Sequence, residues 1–252
     1  MSGHSKWATT KHRKAAQDKK RSAIFSKLSR NITVAAKEGG DPNPDNNAAL
    51  AAAIAKAKSY SLPKDKIDSA IKKAFGSGSS AAAYETVVYE GYGPAGVAVY
   101  IEALTDNRNR TAADVRSAFT RFGGNLGTSG SVAYQFERKG QIMVDKDQQP
   151  DEDEFMLVVA ESGGSDYEDA ESEWVVFTAP GELAQVKDAL EAAGIQTKGY
   201  ELVMEATTLA MVDIGQARSV LRLVDRLEEL EDLQNVYHSM ELTEELAAAL
   251  DE

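Results

Sequence analysis

The chain has 252 residues, no cysteine and a formal net charge of −12, which excludes disulfides, thiolate-ligated metals and thiol nucleophiles and fits a reducing cytosol. No apolar run approaches the roughly 18–20 residues that a membrane-spanning helix needs, and the basic N-terminus lacks the apolar core of a secretory signal. The net charge conceals a partition: residues 1–80 carry +10, from sixteen Lys/Arg against six acids, and residues 81–252 carry −22.

Residues 1–20 hold little apolar material beyond Trp7 and read as a flexible basic arm. The arm is Lys-rich rather than Arg-rich and runs straight into a patterned helix, which favours a cytoplasmic protein over a cleaved mitochondrial presequence. The helix is expected from Lys19, with Asp18 as its cap. At 100° per residue, Ile24, Phe25, Leu28, Ile32, Ala35 and Ala36 share one face, and Lys19, Lys20, Lys27, Arg30 and Lys37 the other. Gly39-Gly40 ends it. A second helix follows from cap candidates at 45–47 to Ser59, and a third from Pro63 to the Gly76 C-cap. Residues 21–76 therefore form a helical domain, and 77–83 a Ser/Ala/Gly linker.

The period then changes to two. Glu85–Tyr89 and Val97–Leu104 read as strands, followed by a helix capped by Thr111 and a strand over Ser131–Glu137. Residues 139–206 carry strands at Gln141–Val144, Asp166–Asp169, Trp174–Thr178 and Gly199–Met204, with helices at Asp153–Ala160 and Glu182–Ala193. That order, βαββαβ, is ferredoxin-like. A last helix, Ile214–Leu230, and strand, Leu233–Glu241, complete the unit begun at 84. The expected fold is α+β with three domains: an N-terminal three-helix domain and two α/β domains. The third, 139–206, is inserted in a discontinuous middle domain, 84–138 and 207–245.

Gly91-Tyr92-Gly93-Pro94-Ala95-Gly96 matches G-x-G-x-x-G, but a strand follows where the dinucleotide fingerprint needs a helix, so it reads as a turn between strands. The run from Thr105 to Thr111 can offer backbone N–H groups, Arg108 and Arg110 to phosphate. Alternatively, Asp106 and the Asn side chains cap turns while the arginines pair with carboxylates. His4, His12 and His238 lack metal-ligand spacing, and the acids at 151–154 and 168–173 lack a calcium loop's periodicity and read as solvated. No catalytic grouping, metal, cofactor or small-molecule substrate is expected.

The basic end is the strong signal. Lys6, Lys11, Arg13 and Lys14, continuing into the helix face, can neutralise phosphates and release counterions. Trp7 offers a stacking surface for an unpaired base. The connection from Gly39 to Pro44 exceeds the turn of about three to four residues in a helix-turn-helix. Helices two and three expose lysines rather than base-reading Arg, Asn or Gln. These features favour RNA, with duplex DNA the competing target.

Several blocks carry a resemblance: SGHSKWATTKHRKAAQDKKR, L-P-x-D-x-I-x-x-A-I-K-K at 62–73, YEGYGPAGVAVYIEALTDNRNRT at 89–111, GGNLGTSGSVAYQFERKG at 123–140 and LQNVYHSMEL at 233–242. Over nearly the whole chain these closely resemble the YebC/PmpR family. The resemblance implies three domains, the first helical and the others α/β. Its members are widely labelled DNA-binding transcriptional regulators. A mitochondrial relative activates translation of cytochrome c oxidase subunit I, and bacterial relatives are linked to the ribosome and to translation of proline-rich stretches. The resemblance marks Gly3–Trp7, Lys11, Lys14, Lys27 and 105–111 as family-typical. Asp151–Glu173 and the proline-free Val203–Thr208 depart from the pattern.

The expected function is thus a non-enzymatic, cytoplasmic, nucleic-acid-binding regulator of gene expression. Lys6, Trp7, Lys11, Arg13, Lys14, Lys19, Lys20, Lys27, Arg30 and Lys37 form the interface, with Arg108 and Arg110 as a second contact. Ribosomal or transfer RNA is the favoured partner, which makes the ribosome a candidate and gives no role to a membrane. DNA-binding transcriptional regulation and an acidic protein-interaction scaffold are the alternatives.

Overall fold

The computed structural model describes residues 17–76, 84–148, 151–170 and 173–251. Most of the expected arm and the whole 77–83 linker lie outside them. Helix α1 (Gln17–Gly39) starts two residues before the expected Lys19, so Asp18 lies within it rather than capping it. Leu28, Ile32 and Ala36, four residues apart, are buried along one stripe. Asn47 caps α2 (Ala48–Ser59) by accepting from the Leu50 N–H at 3.0 Å, and its Nδ2 donates to the Ala35 carbonyl at 3.0 Å. A single buried side chain so ends one helix and starts the next. Helix α3 (Lys64–Phe75) follows Pro63 and is tied to α1 by the Thr33 hydroxyl, which donates to the Ala70 carbonyl at 3.0 Å.

Strands β1 (Glu85–Tyr92) and β2 (Ala98–Thr105) form an antiparallel hairpin. Its turn holds Ala95 and Gly96 at positive φ. The glycine-rich motif is therefore a strand connection. Gly91 answers a different need: a Cβ there would lie 2.7 Å from the Asn125 carbonyl oxygen and 2.8 Å from the Phe119 ring. Helix α4 (Arg108–Arg121) leads to the short β3 (Asn125–Leu126), which pairs with β1.

Strand β4 (Phe136–Asp145) precedes α5 (Glu152–Glu161), β5 (Asp166–Ala170), β6 (Glu173–Thr178), α6 (Leu183–Ala192) and β7 (Thr197–Ala206). Helix α7 (Ile214–Glu228), β8 (Leu233–His238) and α8 (Glu244–Asp251) complete the chain. The fold is α+β, with two four-stranded sheets ordered β3-β1-β2-β8 and β5-β6-β4-β7. The second order is that of the ferredoxin-like arrangement. In the first sheet the late strand β8 lies antiparallel to β2. Helices α4 and α7 cover one face, burying Val99, Ile101, Val115, Phe119, Leu223 and Leu227. Each such side chain contributes roughly 1.5–3 kcal/mol of burial.

The chain divides into two compact units, one mainly of residues 28–76 and 138–203, the other mainly of 19–27, 84–137 and 204–251. In the first unit α5 and α6 cover one face of the second sheet, with Phe155 stacked on Trp174 at 5.3 Å. Lys56 of α2 pairs with Glu201 of β7 at 2.5 Å.

Three expectations are corrected. Ser131–Glu137 is not a separate strand: a 3-10 turn spans Ala133–Gln135, and one strand runs from Phe136 to Asp145. The reason is Glu90, whose carboxylate accepts the N–H groups of Gly130, Val132 and Ala133 at 2.7–2.8 Å and withdraws them from any ladder. Asn107, not Thr111, caps α4, accepting from the Arg110 N–H at 3.1 Å. Glu173, expected to be solvated with the other acids of 168–173, is buried, its carboxylate 3.2 Å from the Lys198 ammonium, whereas Asp169 is exposed.

Candidate nucleic-acid interface

The expected interface begins on the N-terminal arm. Lys6, Trp7, Lys11, Arg13 and Lys14 lie outside the described residues. Lys19 and Lys20 belong to the first turns of α1. Lys27 is half-buried, and its ammonium donates to the Glu228 carbonyl at 2.6 Å, at the C-terminal end of α7. That position suits a cation, because helix C-termini carry partial negative charge. Arg30 is also half-buried, whereas Lys37 is exposed in the last turn of α1. Further along, Lys58, Lys64, Lys66, Lys72 and Lys73 are exposed on α2 and α3. Helices α2 and α3 thus present ammonium groups rather than guanidinium forks.

The run from Thr105 to Thr111 is built differently from a phosphate loop. Asp232, buried just before β8, accepts from the Thr111 hydroxyl at 2.7 Å, the Arg110 guanidinium at 2.8 Å and the Thr105 hydroxyl at 3.3 Å. Arg110 also reaches Asp106 at 2.8 Å. Hydrogen bonds from its guanidinium to Asp232 and then to Asp106 hold the arginine above its already high proton affinity. This side chain fastens α4 to the sheet. Arg108 is more open, 3.6 Å from Glu85, and its carbonyl accepts from the Tyr89 phenol at 3.2 Å.

Sequence reasoning passed over two further cations on α4, Arg116 and Arg121. Both are exposed, and with Ala113, Ser117 and Thr120 they line one shallow surface. Their signal was available in the helix period of TAADVRSAFTR, which turns Val115, Ala118 and Phe119 inward and these arginines outward. Asp232 had no such signal, standing more than a hundred residues from its partners.

The Glu90 cradle is the second organised feature of the first sheet. Burial acts to raise this carboxyl, but the three N–H donors from Gly130, Val132 and Ala133 outweigh it and hold the group below the usual carboxylate range. Above the pinned turn stands Tyr134, its hydroxyl 3.4 Å from that of Tyr92. Among the described residues no group of three or more His, Asp or Glu could hold a metal ion. Nor is any described helix long and apolar enough to cross a membrane.

Two family models cover this architecture. One, described as the TACO1/YebC protein N-terminal domain, matches residues 5–77, and the other, the TACO1/YebC second and third domain, matches residues 84–240. This chain belongs to the TACO1/YebC family. A relative from Rubrobacter xylanophilus, named a probable transcriptional regulatory protein, is 50% identical over 98% of both chains. The Escherichia coli protein named probable transcriptional regulatory protein YebC is 49% identical over 99% of this chain and all of its own. The crystal structure of the conserved hypothetical protein Aq1575 from Aquifex aeolicus is similar, with a TM-score of 0.84 and 42% identity. That match covers 94% of this chain and 97% of the other. In TACO1/YebC terms, the family-typical TDNRNRT block is the Asp232-anchored start of α4. The GGNLGTSGSVAYQF block is the Glu90-pinned turn and its approaches.

Proposed function

We propose that this protein is a non-enzymatic regulator of gene expression that binds nucleic acid through its N-terminal region, and that its target is RNA on the ribosome, where it activates translation. The charge partition carries this reading: +10 over residues 1–80 against −22 over the remainder. Such a molecule is drawn to a polyanion by one end and held off it by the other. Lys6, Lys11, Arg13, Lys14, Lys19, Lys20 and Lys37 supply the phosphate contacts, with Trp7 stacking on an unpaired base. Arg30 and Arg108 lie at the margin. Lys27 and Arg110 serve the fold instead, since their charged groups are engaged by Glu228 and by Asp106 and Asp232.

RNA is favoured over duplex DNA because the outward cations of α2 and α3 are lysines, which suit backbone contact better than bidentate base reading. The connection between α1 and α2, residues 40–47, is also longer than a helix-turn-helix turn of about three to four residues. The relatives' name, probable transcriptional regulatory protein, supports the competing reading, a DNA-binding regulator of transcription.

Co-sedimentation with ribosomes, run beside binding to a promoter-length duplex at physiological salt, separates the two. Ribosome association that is lost when Lys6, Lys11, Arg13 and Lys14 are changed to Ala supports translation. Tight, sequence-selective duplex binding without ribosome association establishes transcription instead.

A further inference from the structure

The four arginines of α4 have different fates. Arg110 is held by Asp106 and Asp232, each at 2.8 Å, and Arg108 stands 3.6 Å from Glu85. Arg116 and Arg121 form no ion pair among the described residues; the Arg121 guanidinium instead lies over the Phe122 ring, 5.7 Å from its centroid. Residues 81–252 carry a net −22. In so acidic a body carboxylate partners are abundant. Two neighbouring guanidinium groups left exposed without one are therefore poised for an outside anion.

Their arrangement suits an extended anion. At 100° per residue, Ala113, Ser117 and Thr120 form a strip of small side chains, with Arg116 on one side and Arg121 on the other. The two Cα atoms are about 7.5 Å apart along the helix axis, comparable with the spacing of neighbouring phosphates on one strand. Small side chains let a sugar–phosphate backbone approach the helix, and each planar fork can take a phosphate bidentately. The Phe122 ring orients one of the forks. Asp114, the acid of this helix, is exposed about two turns before Arg121 and does not line the surface.

We propose that the outward face of α4, through Arg116 and Arg121, is a nucleic-acid contact in its own right, one that grips a phosphate backbone. The proposal rests on the nucleic-acid reading above, and it places two phosphate contacts on the otherwise acidic body.

Salt dependence tests it with full-length protein. The probes are a labelled single-stranded uridine 30-mer and a 30-base-pair duplex of mixed sequence, each titrated across a salt series. Each lost phosphate contact lowers the slope of log affinity against log salt by about 0.7 on a single strand and about 0.9 on a duplex. The R116A/R121A variant should therefore lose about 1.4 of slope on the uridine strand, with an unchanged circular dichroism spectrum and melting temperature. R116K/R121K should keep the slope, and Asp114→Asn should tighten binding.

An unchanged slope and affinity in R116A/R121A, with wild-type protein binding steeply, overturns this site while leaving the functional reading intact. Absence of salt-dependent binding by the wild type overturns both. A variant that keeps its nucleic-acid binding but loses binding to a poly-glutamate peptide overturns the phosphate assignment in favour of an acidic protein partner.

Discussion

The Thr111 hydroxyl donates to the Asp232 carboxylate at 2.7 Å, across 121 residues of chain. The same carboxylate oxygen accepts from Arg110 and Thr105, and the Asp232 carbonyl accepts from the Leu104 N–H at 2.8 Å. One acid before β8 thus gathers the end of β2 and the first turn of α4. The first sheet, assembled from two distant segments, is locked at this point.

Asp232→Ala removes the charged acceptor shared by two buried hydroxyls and the Arg110 guanidinium, which keeps Asp106. Loss of hydrogen bonds to a charged acceptor of this kind costs about 2 kcal/mol. Urea unfolding should show that loss, and a double-mutant cycle with Thr111→Val should show strong coupling. Additive effects would mean that the pair does not act as a unit.

Glu90 links stability to acid. Its folded carboxyl is held below the ordinary value of 4.5. The stabilisation is therefore full above the unfolded value and is lost as pH falls through the folded one. Glu90→Gln should be less stable at pH 7 by about 2 kcal/mol, and its melting temperature should fall less between pH 5 and 3. A pH profile parallel to that of wild type would refute the assignment.

Gly91→Ala places a methyl 2.7 Å from a backbone oxygen of β3 and 2.8 Å from the buried Phe119 ring. Overpacking against backbone costs roughly 1–3 kcal/mol, so the melting temperature should drop. Gly181→Ala, where a Cβ meets open space, is the control and should leave it unchanged.

Lys27→Ala separates holding the fold from holding phosphate. With its ammonium on the Glu228 carbonyl, the change should lower stability by up to about 1 kcal/mol and leave the salt slope of nucleic-acid binding unaltered. A shallower slope at unchanged stability would return Lys27 to the interface.

Much of the architecture was legible because burial on helices and strands is periodic. The inward stripe of α1, the Val115–Ala118–Phe119 face of α4 and the βαββαβ order all follow from local spacing. The expected strand at Ser131–Glu137 failed because Glu90, forty residues away from Gly130 in sequence, consumes the backbone donors that a ladder would need. The helix cap at Thr111 failed because its hydroxyl is spent on Asp232.

By itself the sequence determined the charge partition, the types and order of most elements and the family, since composition, periodicity and motif identity are properties of residues near one another in the chain. Tertiary structure alone decided which cations are committed. Lys27 and Arg110 look like surface charges until Glu228 and Asp232 are brought beside them, and Arg116 and Arg121 look ordinary until the acids among the described residues form no ion pair with them. An ion pair or hydrogen bond between distant segments depends on a distance that only folding sets, and no local pattern encodes it.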